Sequence, residues 1–391
     1  MIRSIALHTY ELDDPEIAAA EIIGGLKDFE LLQNSVGIVM CDTEYIYSEV
    51  YAAVCAALPF RVAGTTTMTQ AIEGEAGILM LTVMVLTSDD AFFEVGYTDP
   101  ITPLGDIAAI TAPAFKAAAA KLPSPTKLIF AFPPLLVENA GDMYVNAFEA
   151  LCPNTPVFGQ LAIEDSIDFA HSYTCCNGES SLEKMAFILV AGNVSPRFFM
   201  STIADKNKLA YSGEITESDG HIVKEINNIR TSEYFESIGF AKNGKLDMGL
   251  QFVPFLLDFK SRADSDGIPV VRAMVLFDDN GYGVCRGYMD QGSVFVLVNP
   301  NDDEIFESSE DLISRLSTIP DRQATFVLSC VVRRMTFGME PLREADMVKE
   351  KLGGGSPFMM AYAGGEICPT SYSGDKVTNR FHNYSIIACV L

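Results

Sequence analysis

The chain has 391 residues, of which 49% are hydrophobic and 20% charged, proportions that belong to a folded protein with room for two cores and exclude a disordered segment. Its 52 acidic residues outnumber 27 basic ones, and the formal charge of −25 argues against nucleic acid and anionic membrane surfaces, both of which are held through Lys and Arg. No apolar run reaches the roughly 20 residues of a membrane helix, and residues 1–10 hold no signal-peptide stretch, so a cytoplasmic protein without membrane contact is expected.

In chain order, a helix is expected over 14–26, with Pro15 in its first turn. The apolar strand 35–41 leads through Asp42 into a helical stretch over 44–58, where Tyr47, Val50, Tyr51 and Val54 recur on one buried face. A strand over 60–63 runs into Gly64, and after the turn Glu73-Gly74-Glu75 comes a strand over 77–86. The same order returns as strand 127–132, helix 141–151, strand 156–158 meeting Gly159-Gln160, and strand 186–191. A third round runs through strand 325–329, helix 341–352 stopped by Gly353-Gly354-Gly355, strand 357–362 arriving at Gly364-Gly365, and closing strand 384–390. The reading is an internal duplication near 33–86 and 127–191 with a third copy near the end, and with Gly64, Gly159 and Gly364-Gly365 in equivalent places.

Between the second and third rounds, strand 270–277, the turn Asp278-Asp279-Asn280-Gly281 and strand 294–298 supply hairpin material. The polar stretch 216–229 is the best boundary, giving domains over 1–225 and 226–391. Strands alternating with helices and apolar on both faces predict an α/β fold: mixed β-sheets covered by helices, in two domains, built from duplicated strand-helix-strand-strand units.

Nine cysteines contain no C-x-x-C spacing, and the four histidines (His8, His171, His221, His382) contain no i, i+3 or i, i+4 pair. Reduced thiols and no metal site are expected, with Cys175 and Cys176 the most exposed thiols. There is no Gly-Lys-Ser/Thr phosphate loop and no Gly-x-Ser-x-Gly elbow. Gly281-Tyr282-Gly283 lacks a following helix and reads as a hairpin, so no cofactor is expected.

The most specific pattern lies in the last third: Ser329-Cys330-Val331-Val332-Arg333, then Gly364-Gly365-Glu366-Ile367-Cys368-Pro369, then Phe381-His382-Asn383. This resembles the C-terminal half of the FIST family (F-box and intracellular signal transduction), whose sequences carry Cys-x-x-Arg, Gly-Glu-Ile-x-Pro and His-Asn in this order. With Cys176-Asn177-Gly178 and the strand layout, the resemblance extends over about 33–391, as a FIST N-terminal part followed by a FIST C-terminal part. It implies a sensory protein that binds a small molecule, an amino acid or small carboxylate, and relays a signal. No kinase, cyclase, helix-turn-helix or F-box-like segment is recognisable, so the output falls to a separate signalling partner.

Cys330, Arg333, Gly365, Glu366, His382 and Asn383 are expected to converge on one cleft, because α/β folds place ligands at strand ends. In that cleft Arg333 would take a carboxylate through its planar fork and Glu366 an ammonium group. Alternatively, Arg333 and Glu366 pair with each other. Arg334 would point to the opposite face if the strand continues through it. The enzymatic alternative is a cysteine-dependent hydrolase or transferase using Cys330 and His382. Cys330, at the end of a buried strand, also suits simple core packing.

Overall fold

The computed structural model describes residues 1–166, 168–202, 208–246, 253–258, 268–299, 301–373 and 376–391. The first round runs β1 (Arg3–Thr9), α1 (Pro15–Leu26), β2 (Asn34–Cys41), α2 (Glu44–Tyr47), α3 (Val50–Ala57), β3 (Arg61–Thr66), a hairpin of β4 (Gln70–Ile72) and β5 (Glu75–Gly77), and β6 (Leu81–Ser88). Helix α1 starts where local chemistry dictates: the Asp14 carboxylate accepts the N–H groups of Glu16 and Ile17, and Pro15 supplies the fixed φ of a first turn. The second round runs β7 (Ala91–Tyr97), α4 (Ile107–Ala119), β8 (Thr126–Phe132), α5 (Gly141–Leu151), β9 (Val157–Gln160), a hairpin of β10 (Thr174–Cys176) and β11 (Glu179–Ser181), and β12 (Ala186–Gly192).

The third round opens with β13 (Arg197–Ser201) and is then interrupted by an inserted sheet. That insertion holds β14 (Lys208–Asp219), β15 (Ile222–Ile226), β16 (Ile229–Arg230), α6 (Thr231–Ser237), the short pair β17 (Ala241–Lys242) and β18 (Lys245–Leu246), β19 (Val253–Asp258), β20 (Val270–Phe277), β21 (Gly283–Cys285) and β22 (Val294–Val298). The round resumes with α7 (Asp302–Ser317), β23 (Thr325–Cys330), α8 (Val331–Thr336), α9 (Arg343–Leu352), β24 (Phe358–Ala363), the hairpin β25 (Glu366–Ser373) and β26 (Lys376–His382), and β27 (Ile386–Val390).

Three six-stranded mixed sheets result, in the orders β1-β6-β2-β3-β10-β11, β7-β12-β8-β9-β25-β26 and β13-β27-β23-β24-β4-β5. In each, the second strand of the round (β2, β8 or β23) pairs in parallel with the strand that follows the helix (β3, β9 or β24), and antiparallel with the last strand (β6, β12 or β27). Each sheet is finished by a hairpin from another round: β10–β11 on β3, β25–β26 on β9, and β4–β5 on β24. The layouts correspond strand for strand, and the hairpins pass cyclically from round to round.

The inner faces of the three sheets share one core, where the rings of Phe130 and Phe326 meet at 5.0 Å. Each outer face is covered by its own helices, which is why these strands are apolar on both sides. The inserted sheet has a separate core around Phe235, Phe255 and Phe295, and closes on itself through a β14–β15 pairing. The boundary expected at 225/226 falls within β15, and strands from either side of it complete each other's sheets.

Several local expectations are corrected. The helix expected over 44–58 is broken at Glu49, whose φ of 65° ends α2 and begins α3, and Tyr47 is left exposed. Gly64 and Gly159 play one role: a Cβ at either would sit within 2 Å of the carbonyl oxygen of the neighbouring strand, Val39 O at 1.7 Å and Ala131 O at 1.8 Å. Gly364 and Gly365 lie beyond the end of β24, so the third glycine pair is not at the equivalent place. Cys175 and Cys176 are buried in β10, because that strand extends the first sheet, with Cys175 under its helices and Cys176 in the shared inner core. The run expected as strand through Arg333 ends at Cys330, and α8 starts at Val331. Helical spacing, not strand alternation, therefore sets where Arg333 and Arg334 point.

Candidate ligand-binding site

The parallel strands β3, β9 and β24 deliver their C-terminal ends to one end of the three-sheet body. There the loops bond to one another: Ile163 N–H donates to Thr66 O at 3.3 Å, Gly364 N–H to Leu161 O at 3.0 Å, and Thr67 Oγ1 to Tyr362 O at 2.7 Å. The inserted sheet docks on this end through Val271 and Ala273 of β20, which pack with Ile163, Cys330, Val331 and Val332. Arg272 anchors it from a fully buried position, bonding Asp142 at 3.0 Å and the Phe381 carbonyl at 2.7 Å. Asn383 adds a further pin, its Oδ1 accepting the Ala273 N–H at 3.2 Å.

Between the loop following β9, helix α8 and the inserted sheet lies a cleft of about 500 Å³. Arg334 of α8 stands on one wall, its Nε donating to Thr69 Oγ1 at 2.8 Å and its Nη2 4.0 Å from the Asp165 carboxylate. Arg286, just past β21, stands on another. Its backbone is pinned between Ala273 O and Gly141 N–H, which fixes where its side chain starts. Its Nη1 is buried and finds no hydrogen-bond partner among the described residues, and burial lowers its pKa from the ordinary Arg value. Behind the cleft, a cavity of about 20 Å³ shares Arg286 and Phe169 and reaches Cys330, Gly364 and Asn383. That is space for one water molecule.

The six residues expected to converge are close in the fold but divide by role. Cys330 and Asn383 line the small cavity. Arg333 is fully buried on the other side of α8, ion-paired to Glu344 at 3.0 Å and bonded to Ser308, Ser309, Ile305 O and Tyr384 O. Every direction of its fork is committed to protein, so it is not the cleft-facing arginine. Its partner is Glu344, not Glu366, and Arg334 takes the position facing the cleft.

Glu366 is fully buried opposite Gln160 and His382 in the sheet. Ser385 Oγ donates to its Oε2 at 2.6 Å, while Oε1 has no hydrogen-bond partner among the described residues. Burial pushes its pKa up to about 8, outweighing Ser385, Cys330 and Arg333, which pull the other way. His382 Nε2 lies 3.1 Å from Cys368 O within the same hairpin. Gly365, at φ 147°, leaves room for the Phe381 ring, which a Cβ would strike at 2.3 Å. The Cys330 thiol is raised well above its ordinary pKa, first by burial and then by the neighbouring Glu366. That is the reverse of nucleophile activation.

Sequence reasoning missed Arg286 and Phe169, which belong to no motif. The one available signal was a charged residue directly after the apolar pair Val284-Cys285 in a hairpin. Among the described residues, no group of three His, Cys, Asp or Glu is placed to hold a metal, and no helix is long and apolar enough to cross a membrane.

Comparison with known proteins agrees with the motif reading. The FIST N domain matches residues 35–229 and the FIST C domain residues 231–369. No curated protein sequence matches the chain. Among solved structures, cyanuric acid hydrolase from A. caulinodans aligns over 100% of this chain and 99% of its own, at 10% identity and a TM-score of 0.33. PurL of T. maritima complexed with ATP aligns over 100% and 71%, at 10% identity and a TM-score of 0.19. Scores this low assign neither fold nor chemistry.

Proposed function

Since the chain belongs to the FIST family, whose domains are generally sensory domains that bind small ligands in signalling, we propose that it is a non-catalytic, cytoplasmic ligand sensor whose site is the Arg286–Arg334 cleft. The observation that carries this reading is the buried Nη1 of Arg286, without a hydrogen-bond partner among the described residues, on the wall of a cleft of about 500 Å³. A guanidinium N–H shut off from water without an acceptor is costly in a folded protein, and an anionic ligand held by Arg286 offsets that cost. The ligand class is an amino acid or small carboxylate, and the bound state is read by a separate partner protein. Cys330 and Asn383 contribute at the back of the site, while Arg333, Gly365, Glu366 and His382 shape the ends of the strands that form it. The three matching sheets fit descent from one repeated unit.

Thermal-shift screening of amino acids and small carboxylates against the whole chain tests the reading. A ligand that raises the melting temperature should lose about ten- to a hundredfold in affinity in Arg334→Ala, the usual effect of removing one charge-assisted bond. A hit unaffected by changes at both Arg334 and Arg286 places the ligand elsewhere and refutes the site.

A further inference from the structure

Resting on that reading, we infer that the cleft takes a carboxylate with an apolar body and no ammonium group, its carboxylate seated on Arg286. Charge accounting across the cleft separates this class from amino acids. The two acidic residues on the walls, Asp165 and Asp168, are exposed, so water meets their charge. Asp168 also accepts the Ser166 hydroxyl at 2.9 Å and the Ala170 N–H at 3.4 Å, and Asp165 lies 4.0 Å from Arg334. Arg286 has no partner at Nη1 among the described residues, and the acid that most offsets its charge, Glu138, is exposed and beyond ion-pair distance. Among the described residues, the buried demand left unmet in the cleft is for one negative charge, while its acids are met by water.

The remaining wall fixes the body of the ligand. Met68, Val137, Phe169, Val275, Leu276 and Met335 are apolar and come from both the three-sheet body and the inserted sheet. The volume of about 500 Å³ falls within the roughly 300–1,000 Å³ of small-molecule sites, enough for an aryl or branched alkyl chain. The acids on the walls are exposed and hydrated, so an ammonium group on such a ligand would exchange water for water-screened carboxylates and gain little from them.

Matched pairs test this on the whole chain: 3-phenylpropionate against phenylalanine, and 4-methylvalerate against leucine, by calorimetric titration. The proteins are wild type, Arg286→Lys and Arg286→Met; the Met variant keeps an apolar stem without the charge. The acids should bind at least tenfold more tightly than the amino acids. Arg286→Met should abolish that binding while melting no lower than wild type without ligand, because it removes an N–H group buried without an acceptor among the described residues. Arg286→Lys should keep part of the affinity. Amino acids binding as tightly as the acids, with the same dependence on Arg286, would overturn this ligand class and leave the sensor reading intact. Neither series binding, or both binding equally to Arg286→Met, would overturn the site itself. A clear loss of unliganded stability in Arg286→Met would show that the arginine holds structure rather than ligand.

Discussion

Glu366→Gln isolates a buried acid that the fold keeps neutral. The Glu366 carboxyl has its pKa pushed from 4.5 to about 8, chiefly by burial. Above pH 4.5 the unfolded chain releases this proton while the folded chain keeps it, so the unfolded state binds fewer protons and stability falls as pH rises. The contribution is fully present below 4.5 and is lost as pH passes through about 8. At roughly 1.4 kcal/mol per pH unit, that interval sets an upper bound of about 5 kcal/mol. Glutamine preserves the shape and still accepts the Ser385 hydroxyl, but it does not titrate. Urea unfolding, followed by tyrosine fluorescence because the chain has no Trp, should place the two proteins within about 1 kcal/mol of each other at pH 5. By pH 8 the Gln variant should be ahead by about 3–5 kcal/mol. Asp42, raised by burial to about 6, adds a slope of the same sign, but it is common to both proteins and cancels in the difference. A difference that stays constant from pH 5 to 8.5, or one that grows in favour of the wild type, refutes the argument. The second outcome would mean that Glu366 is ionised and held by Arg333.

Glu344→Ala should destabilise by about 3–5 kcal/mol by stranding the buried Arg333, whereas Arg343→Ala, which breaks ion pairs to exposed acids and stacking on Phe306 and Phe337, should cost about 1–2 kcal/mol; denaturant midpoints compare them. Gly159→Ala should unfold the protein or cost several kcal/mol, since its methyl would meet Ala131 O at 1.8 Å. Gly24→Ala in α1 has open space and should stabilise by about 0.5–1 kcal/mol in the same assay. Cys330 should resist iodoacetamide at neutral pH in the folded chain and react in urea, as read by mass spectrometry; fast alkylation of the native protein would revive the nucleophile reading.

Most of the fold was legible because apolar runs and their punctuation are local properties. The residues of α5 read as a helix from their 3.6-residue spacing, and α1 from Asp14-Pro15. What failed needed tertiary information. Strand and helix both accept Val331-Val332, so nothing in the sequence marked the turn into α8, and the predicted facing of Arg333 and Arg334 was reversed. The hairpin carrying Cys175 and Cys176 looks polar in sequence, yet it is buried because it completes a sheet begun more than a hundred residues earlier. The exchange of hairpins among the three rounds leaves no trace in composition or spacing.

The same argument explains why the most recognisable residues are not the ones facing the cleft. A motif is recognisable when each position has few tolerable substitutes, and buried polar groups are the strictest case. Arg333 has six partners to satisfy, including Ser329 and Glu344, and replacing any one leaves a charge or dipole stranded. Gly365 tolerates no Cβ, and Asn383 must present an acceptor to Ala273 N–H. These constraints hold three strand ends and the inserted sheet in register, and the cleft is what remains between them. Arg286, Phe169 and Leu276 line that space, where the choice of side chain is set less by the frame. A change at Arg333 should therefore perturb unfolding and binding together. A change at Arg286 should alter binding alone, so comparing the two separates the frame from the site.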